Sequence, residues 1–236
     1  MGRILRAMIP TPAPSGSTPL ISRSRLQSWG REIRTTGGLL LLLFSIRSVL
    51  ADWNPVPTGS MKPTIQEGDV VWVNKLAYDL KVPFTTWHLA EWSEPRRGDV
   101  VVFFEPVHDS RYVKRVVGLP GDVVELRENR LLLNGTPVEW ERNGADATHA
   151  EEQLGEHRHA VMTLPEKPAM RSFGPTRVPE GHYFMMGDNR DNSLDSRYIG
   201  SIARERIIGR VAGVLVSGDP GRHYLPRFDR WITAMR

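Results

Sequence analysis

A chain of 236 residues, 40% hydrophobic and 25% charged, is long enough to bury a sizeable core, and its composition argues against wholesale disorder. It has no cysteine, which excludes thiol nucleophiles, disulfides and thiolate metal sites and leaves the redox compartment open. The net charge of +4 comes from arginines concentrated in the first segment, so no nucleic-acid partner is expected.

Residues 1–34 carry Arg3, Arg6, Arg23, Arg25, Arg31 and Arg34 against the single acid Glu32 and are interleaved with Pro and Ser, as in a basic tail. An uncharged run from Thr35 to Ile46 follows, ending at Arg47. About twelve residues at ~1.5 Å each reach ~18 Å, short of the ~30 Å hydrocarbon core, so a crossing needs Arg34 and Arg47 to snorkel or the bilayer to thin. A cleavable signal peptide is the main rival, but the run begins late and no small-x-small site follows Phe44 before Asp52. Residues 35–51 are therefore read as a membrane-anchor helix, with the arginine-rich tail on the cytoplasmic side and the body on the other.

The first chemical signal comes just after the anchor, in Pro57-Thr58-Gly59-Ser60-Met61-Lys62-Pro63-Thr64. Gly59 removes bulk beside Ser60 while Pro57 and Pro63 stiffen either side, so the turn can present the Ser60 hydroxyl and N–H. An ordinary surface turn has the same composition, and only a base for Ser60 separates the two readings. Lys62, beside Pro63 on the same turn, reads as a solvated charge rather than that base.

From Val70 the pattern is one of short apolar runs introduced by Gly-Asp pairs, at Gly68-Asp69, Gly98-Asp99 and Gly121-Asp122. Strands are expected at 69–75, 99–105, 111–118, 123–126, 130–133, 182–186 and 206–216, with a tight turn at Asn134-Gly135. The fold class is mainly β: an antiparallel catalytic core with a smaller inserted β subdomain, preceded by the anchor helix. The expected domains are a tail (1–34), an anchor (35–51), a core (52–122 with 179–218), an insertion (123–178) and a C-terminal tail (219–236).

On the strand Tyr112-Val113-Lys114-Arg115-Val116-Val117-Gly118, alternation puts Tyr112 and Lys114 on one face and Val113 and Arg115 on the other. One cation must then point inward if both faces are packed. A buried arginine stays protonated, whereas a desolvated lysine loses its proton more easily, which makes Lys114 a physically reasonable base for Ser60. An exposed lysine on an edge strand explains the residue equally well.

Residues 140–176, rich in Glu, His, Arg, Pro and Gly, read as a solvated insertion. Although His149, His157 and His159 lie near Glu151, Glu152 and Glu156, they lack His-Glu-x-x-His order, and no metal is expected. The loop Gly187-Asp188-Asn189-Arg190-Asp191-Asn192-Ser193-Leu194-Asp195-Ser196-Arg197 lacks the glycine and glutamate of a calcium loop. It can order itself through Asx turns and an Asp195–Arg197 pair, and Ser193 could hydrogen-bond Lys114. Residues 221–236 mix Tyr224, Leu225, Phe228, Trp231 and Ile232 with arginines, as a membrane-surface segment or a packed tail would.

Taken in order, the segments 56–65, 68–75, 98–103, 112–122 and 187–200 resemble type I signal peptidases, membrane-bound Ser-Lys endopeptidases that remove leader peptides from exported proteins. The resemblance implies Ser60 as nucleophile, Lys114 as general base, and an oxyanion hole from the Ser60 N–H and the Thr58 hydroxyl, where many relatives carry serine. It implies that Ser193 orients Lys114 while Asp188, Asp195 and Arg197 hold the loop. Val56, Met61, Ile65, Tyr112 and Val113 would line pockets for small residues, usually Ala-x-Ala, before the cut. The implied partners are signal-peptide-bearing preproteins and the phospholipid membrane, with no cofactor or metal. Alternatives are a pilus-processing or self-cleaving Ser-Lys relative, and a membrane-tethered β-domain that binds exported peptides without cutting them.

Overall fold

A computed structural model describes residues 32, 34–40, 50–82, 85, 87–142 and 148–235. The chain divides into two compact units, residues 1–43 and 44–236. In the first, residues 34–40 are helical. No helix among the described residues is long and apolar enough to cross a membrane. Residues 41–49 of the expected anchor, and residues 1–31 and 33 of the expected tail, lie outside the described residues.

The second unit is built on one large antiparallel sheet. Its order is β1 (Ala51–Pro55), β2 (Asp69–Asn74), β16 (Ile207–Asp219), β5 (Val100–Phe104), β6 (Arg111–Gly118), β14 (His182–Met186) and β15 (Ile202–Ala203). Two short strands, β17 (Leu225–Pro226) and β18 (Thr233–Ala234), also pair with β16, while β3 (Asp79–Lys81) and β4 (His88–Glu91) pair with each other as a separate two-stranded sheet. The strands form where β-branched and aromatic residues cluster. In β2, Asp69, Val71 and Val73 turn inward while Trp72 stays exposed, as period-two alternation requires. In β5 the run Val-Val-Val-Phe is buried throughout. Val100 and Val102 join a cluster with Met61, Ile65 and Val71, whereas Val101 and Phe103 join another with Tyr78, Val116 and Met185. Both faces of this part of the sheet are therefore covered.

That coverage corrects the expectation of a single inward cation on β6. Lys114 and Arg115 are both buried, 4% and 1% exposed, because β6 lies between β5 and β14 rather than at an edge. Residues 123–177 contribute two small sheets. One runs β13 (Phe173–Arg177), β7 (Val123–Arg127), β8 (Arg130–Leu133), β9 (Thr136–Pro137); the other runs β10 (Trp140–Arg142), β11 (His149–Leu154), β12 (His157–Met162). Asn134 and Gly135 join β8 to β9 with φ of 53° and 80°, the left-handed values that an Asn-Gly turn supplies.

The stretch 140–176 is not the solvated insertion expected from its composition. In β11 the alternating positions Ala150, Glu152 and Leu154 are buried, and His159 on β12 is buried too. Leu154 shares a core cluster with Val124, Leu126 and Val117 and with Phe184 and Met186 of β14. A glutamate at a core position hides the apolar alternation by which a half-buried strand is recognised.

The C-terminal residues pack against the sheet. Arg227 and Arg230 both reach the buried Asp69, Arg230 Nη2 at 2.6 Å, and Trp231 Nε1 donates to the Ser217 carbonyl. Burial alone would raise the Asp69 carboxyl, but the hydrogen bond from Arg230 and those from Gln66 and Ser217 hold it low. Tyr224, Leu225, Phe228 and Ile232 remain exposed around these anchors.

Candidate active site

Ser60 sits in the turn between β1 and β2, and Lys114 lies in mid-β6, opposite Val101 of β5. Although 54 residues separate them, Lys114 Nζ lies 2.8 Å from Ser60 Oγ, with both side chains buried. Nζ also donates to the Val113 carbonyl at 2.9 Å. Burial, more than any neighbouring charge, pulls the Lys114 amine down to about 8 from its ordinary 10.5. The Asp195 and Asp188 carboxylates oppose that fall, and Arg197 reinforces it. An amine so placed is largely protonated at neutral pH but can be freed of its proton without leaving the accessible range.

The polar loop after β14 packs against both groups. The Asn189 N–H donates to the Ser60 carbonyl and its Nδ2 to the Gly59 carbonyl, each at 3.1 Å. Gly187 permits this approach, since a Cβ there would come within 2.5 Å of the Ser60 carbonyl oxygen and collide with Ser193. Asp188 grips Arg115 with both oxygens, at 2.8 and 2.7 Å, and accepts a bond from Thr64. Asp195 does the same with Arg197, at 2.8 and 2.9 Å, and accepts the Gly187 N–H while capping α1 (Ser196–Ile199). Burial by itself would raise both carboxyls, but the paired guanidiniums hold them below the usual range.

A cleft of about 590 Å³ opens over Ser60 and Lys114. Val56, Thr58, Met61, Tyr112, Val113 and Ser193, all singled out in the sequence, line it. The Thr58 hydroxyl lies 3.5 Å from Ser60 Oγ. Two expectations are corrected. Ile65 is wholly buried in the core cluster with Val71 and does not line the cleft, because one further turn carries it beneath the surface. The buried Ser193 hydroxyl lines the same cleft but makes no hydrogen bond to Lys114, whose Nζ bonds to Ser60 and Val113. Lys62 is half-exposed and paired with Glu67 at 3.2 Å, away from Ser60 Oγ.

Sequence reasoning missed the far wall of the cleft, where Lys167 and Pro168 come from the insertion. Their loop is held by Arg171, which donates to the carbonyls of Leu164, Pro165 and Lys167 and pairs with Asp191. No local signal announces this, because the arginine and the carbonyls it gathers meet only in three dimensions. Among the described residues no group of three or more His, Asp or Glu side chains could hold a metal ion.

The family model described as "Signal peptidase, peptidase S26" matches residues 29–216. The chain belongs to the signal peptidase family. It is 39% identical over 211 residues to signal peptidase I of Pseudomonas fluorescens, covering 81% of this chain and 74% of that protein. Against signal peptidase I of Pseudomonas aeruginosa the identity is 37%, with the same coverage. A crystal structure of a signal peptidase I from Enterococcus faecalis is 32% identical, with a TM-score of 0.35, covering 50% of this chain and 97% of that one. As a member of the signal peptidase family the chain is a serine peptidase, a hydrolase, and the reading as a peptide-binding domain without activity is set aside.

Proposed function

We propose that this chain is a membrane-bound endopeptidase that removes signal peptides from exported preproteins through a Ser60–Lys114 dyad. The observation that carries the proposal is the 2.8 Å separation of Lys114 Nζ from Ser60 Oγ, inside a cleft and shielded from water. Neutral Lys114 takes the Ser60 proton as Oγ attacks the scissile carbonyl. The resulting oxyanion is held by the Ser60 N–H and the Thr58 hydroxyl. Lys114 then passes its proton to the departing amine, leaving an ester on Ser60. Next it takes a proton from the water that attacks this ester and returns it to Ser60 Oγ as the acyl–oxygen bond breaks, which releases the acid product and restores the free serine and neutral lysine. No metal or organic cofactor enters the sequence.

Val56, Met61, Tyr112 and Val113 form the apolar floor on which small residues before the cut would rest. Asp188, Asp195 and Arg197 hold the loop that buries the lysine. Residues 52–122 and 179–218 form the catalytic core in this reading, with 123–178 inserted and 219–236 as a tail. The arginine-rich residues 1–34 keep the N-terminus cytoplasmic, so the core works on the outer face of the cytoplasmic membrane. Exposed aromatics favour contact with lipid: Trp53 and Trp72, paired across β1 and β2, are 51% and 50% exposed, and Phe228 is 69% exposed.

The test is incubation of the purified chain with an Ala-x-Ala leader substrate, followed by sequencing of the new N-terminus. Wild type should cut after the second small residue, whereas Ser60→Ala and Lys114→Ala, both folded, should not. Near-normal turnover by either variant would remove the dyad.

A further inference from the structure

The insertion supplies a buried charge pair that the proposed reaction does not use. Glu152, on β11 and fully buried, holds Arg190 with both oxygens; one contact is 3.0 Å and the other is between Nη2 and Oε2. Arg190 is itself 1% exposed and opens the one-turn 3₁₀ helix Arg190–Asn192, directly after Asp188 and Asn189. The same hairpin reaches that segment through its backbone, where the Met162 N–H donates to the Asp188 carbonyl at 2.8 Å and Met162 bridges to Asn189. Asn189 in turn holds the carbonyls of Gly59 and Ser60. A continuous path of bonds therefore leads from the inserted hairpin to the serine turn.

His159, on the paired strand β12 opposite Glu152, completes the cluster. Its Nε2 lies 3.6 Å from Glu152 and 3.8 Å from Asp188, without a hydrogen bond to either. Burial holds this imidazole down to about 3, with Arg115 adding to the effect, so it stays neutral and leaves Glu152 to Arg190.

We propose that the β11–β12 hairpin is a positioning element for the reaction, in which Glu152 acts through Arg190 and Asn189 to hold the Ser60 turn against Lys114. This rests on the reading of Ser60 as nucleophile. Breaking a buried ion pair on one side also threatens folding, so loss of activity alone proves little. The informative quantities are the split between kcat and KM in folded variants and the coupling between positions.

The full chain is assayed on the Ala-x-Ala leader peptide, with circular dichroism confirming that each variant is folded at the assay temperature. Glu152→Gln keeps the shape but removes the charge, and should lower kcat about ten-fold with KM within about two-fold, as expected for a displaced reacting group. The double variant Glu152→Met/Arg190→Met removes both charges and guards against misfolding; it should show a similar fall in kcat. Asn189→Ala should also lower kcat, and combining it with Glu152→Gln should lower kcat by less than the product of the two separate effects. Folded Glu152 variants with wild-type kcat, or losses at Glu152 and Asn189 that simply multiply, would overturn the positioning role. Turnover by Ser60→Ala would instead remove the underlying dyad, so the two failures are distinct.

Discussion

Replacing Lys114 with methionine should abolish cleavage and also change how stability depends on pH, in a way that only a desolvated amine produces. The unfolded lysine titrates near 10.5 and the buried one near 8, a gap that corresponds to about 3 kcal/mol. Between these values the unfolded chain binds the extra proton, so wild-type stability rises with pH across the window, and below about 8 the burial penalty is present in full. Lys114→Met escapes that penalty but loses two hydrogen bonds, to Ser60 and Val113, at about 1 kcal/mol each. The variant should thus be about 1 kcal/mol more stable than wild type at pH 7 and about 2 kcal/mol less stable above 10.5. Urea titrations of both proteins across this range measure the difference, and other titrating groups cancel between them. A difference that does not vary with pH, or a wild type that gains ground as pH falls, would refute the reasoning.

Asp188→Asn should destabilise the chain by about 3–5 kcal/mol, read from the urea midpoint, because it leaves Arg115 buried without its counter-charge. Thr58→Val should lower kcat by about 10²- to 10³-fold, whereas Thr58→Ser, which keeps the hydroxyl, should stay within a few-fold of wild type; equal losses in the two would exclude the oxyanion role. The double variant Trp53→Ser/Trp72→Ser should lose about ten-fold in turnover of a vesicle-embedded preprotein while cutting a soluble leader peptide normally, because it removes exposed apolar surface. Equal losses on both substrates would place the tryptophans in the chemistry or the fold instead.

The local features of this fold were legible because each is written in a few neighbouring residues. The Gly-Asp pairs before apolar runs marked β2, β5 and β7, and Asn134-Gly135 marked a hairpin. Ser60 and Lys114 were each open locally to a plainer reading, a surface turn and an exposed edge-strand charge, and only the ordered set of segments joined them as a pair. What escaped depends on contacts distant in sequence. Alternation on β6 could not show that both Lys114 and Arg115 are buried, since that follows from β5 and β14 flanking the strand and Asp188 arriving 73 residues later. Glu152 looked solvated because its partner Arg190 lies 38 residues away. Ile65 was placed in a pocket by the resemblance, and nothing in the local sequence could show that its side of the turn faces the core instead of the cleft. Lys167 and Pro168 had no signal at all, because Arg171 folds their loop into the wall.

The most direct test of the central claim pairs two pH titrations of the wild-type chain. One follows the ¹⁵Nζ resonance of Lys114 in the free enzyme, and the other follows kcat/KM for the leader peptide. If Lys114 is the base for Ser60, both should turn at the same pH, near 8, with kcat/KM rising as the proton leaves. A lysine that titrates near 10.5 while the rate turns elsewhere would contradict the account.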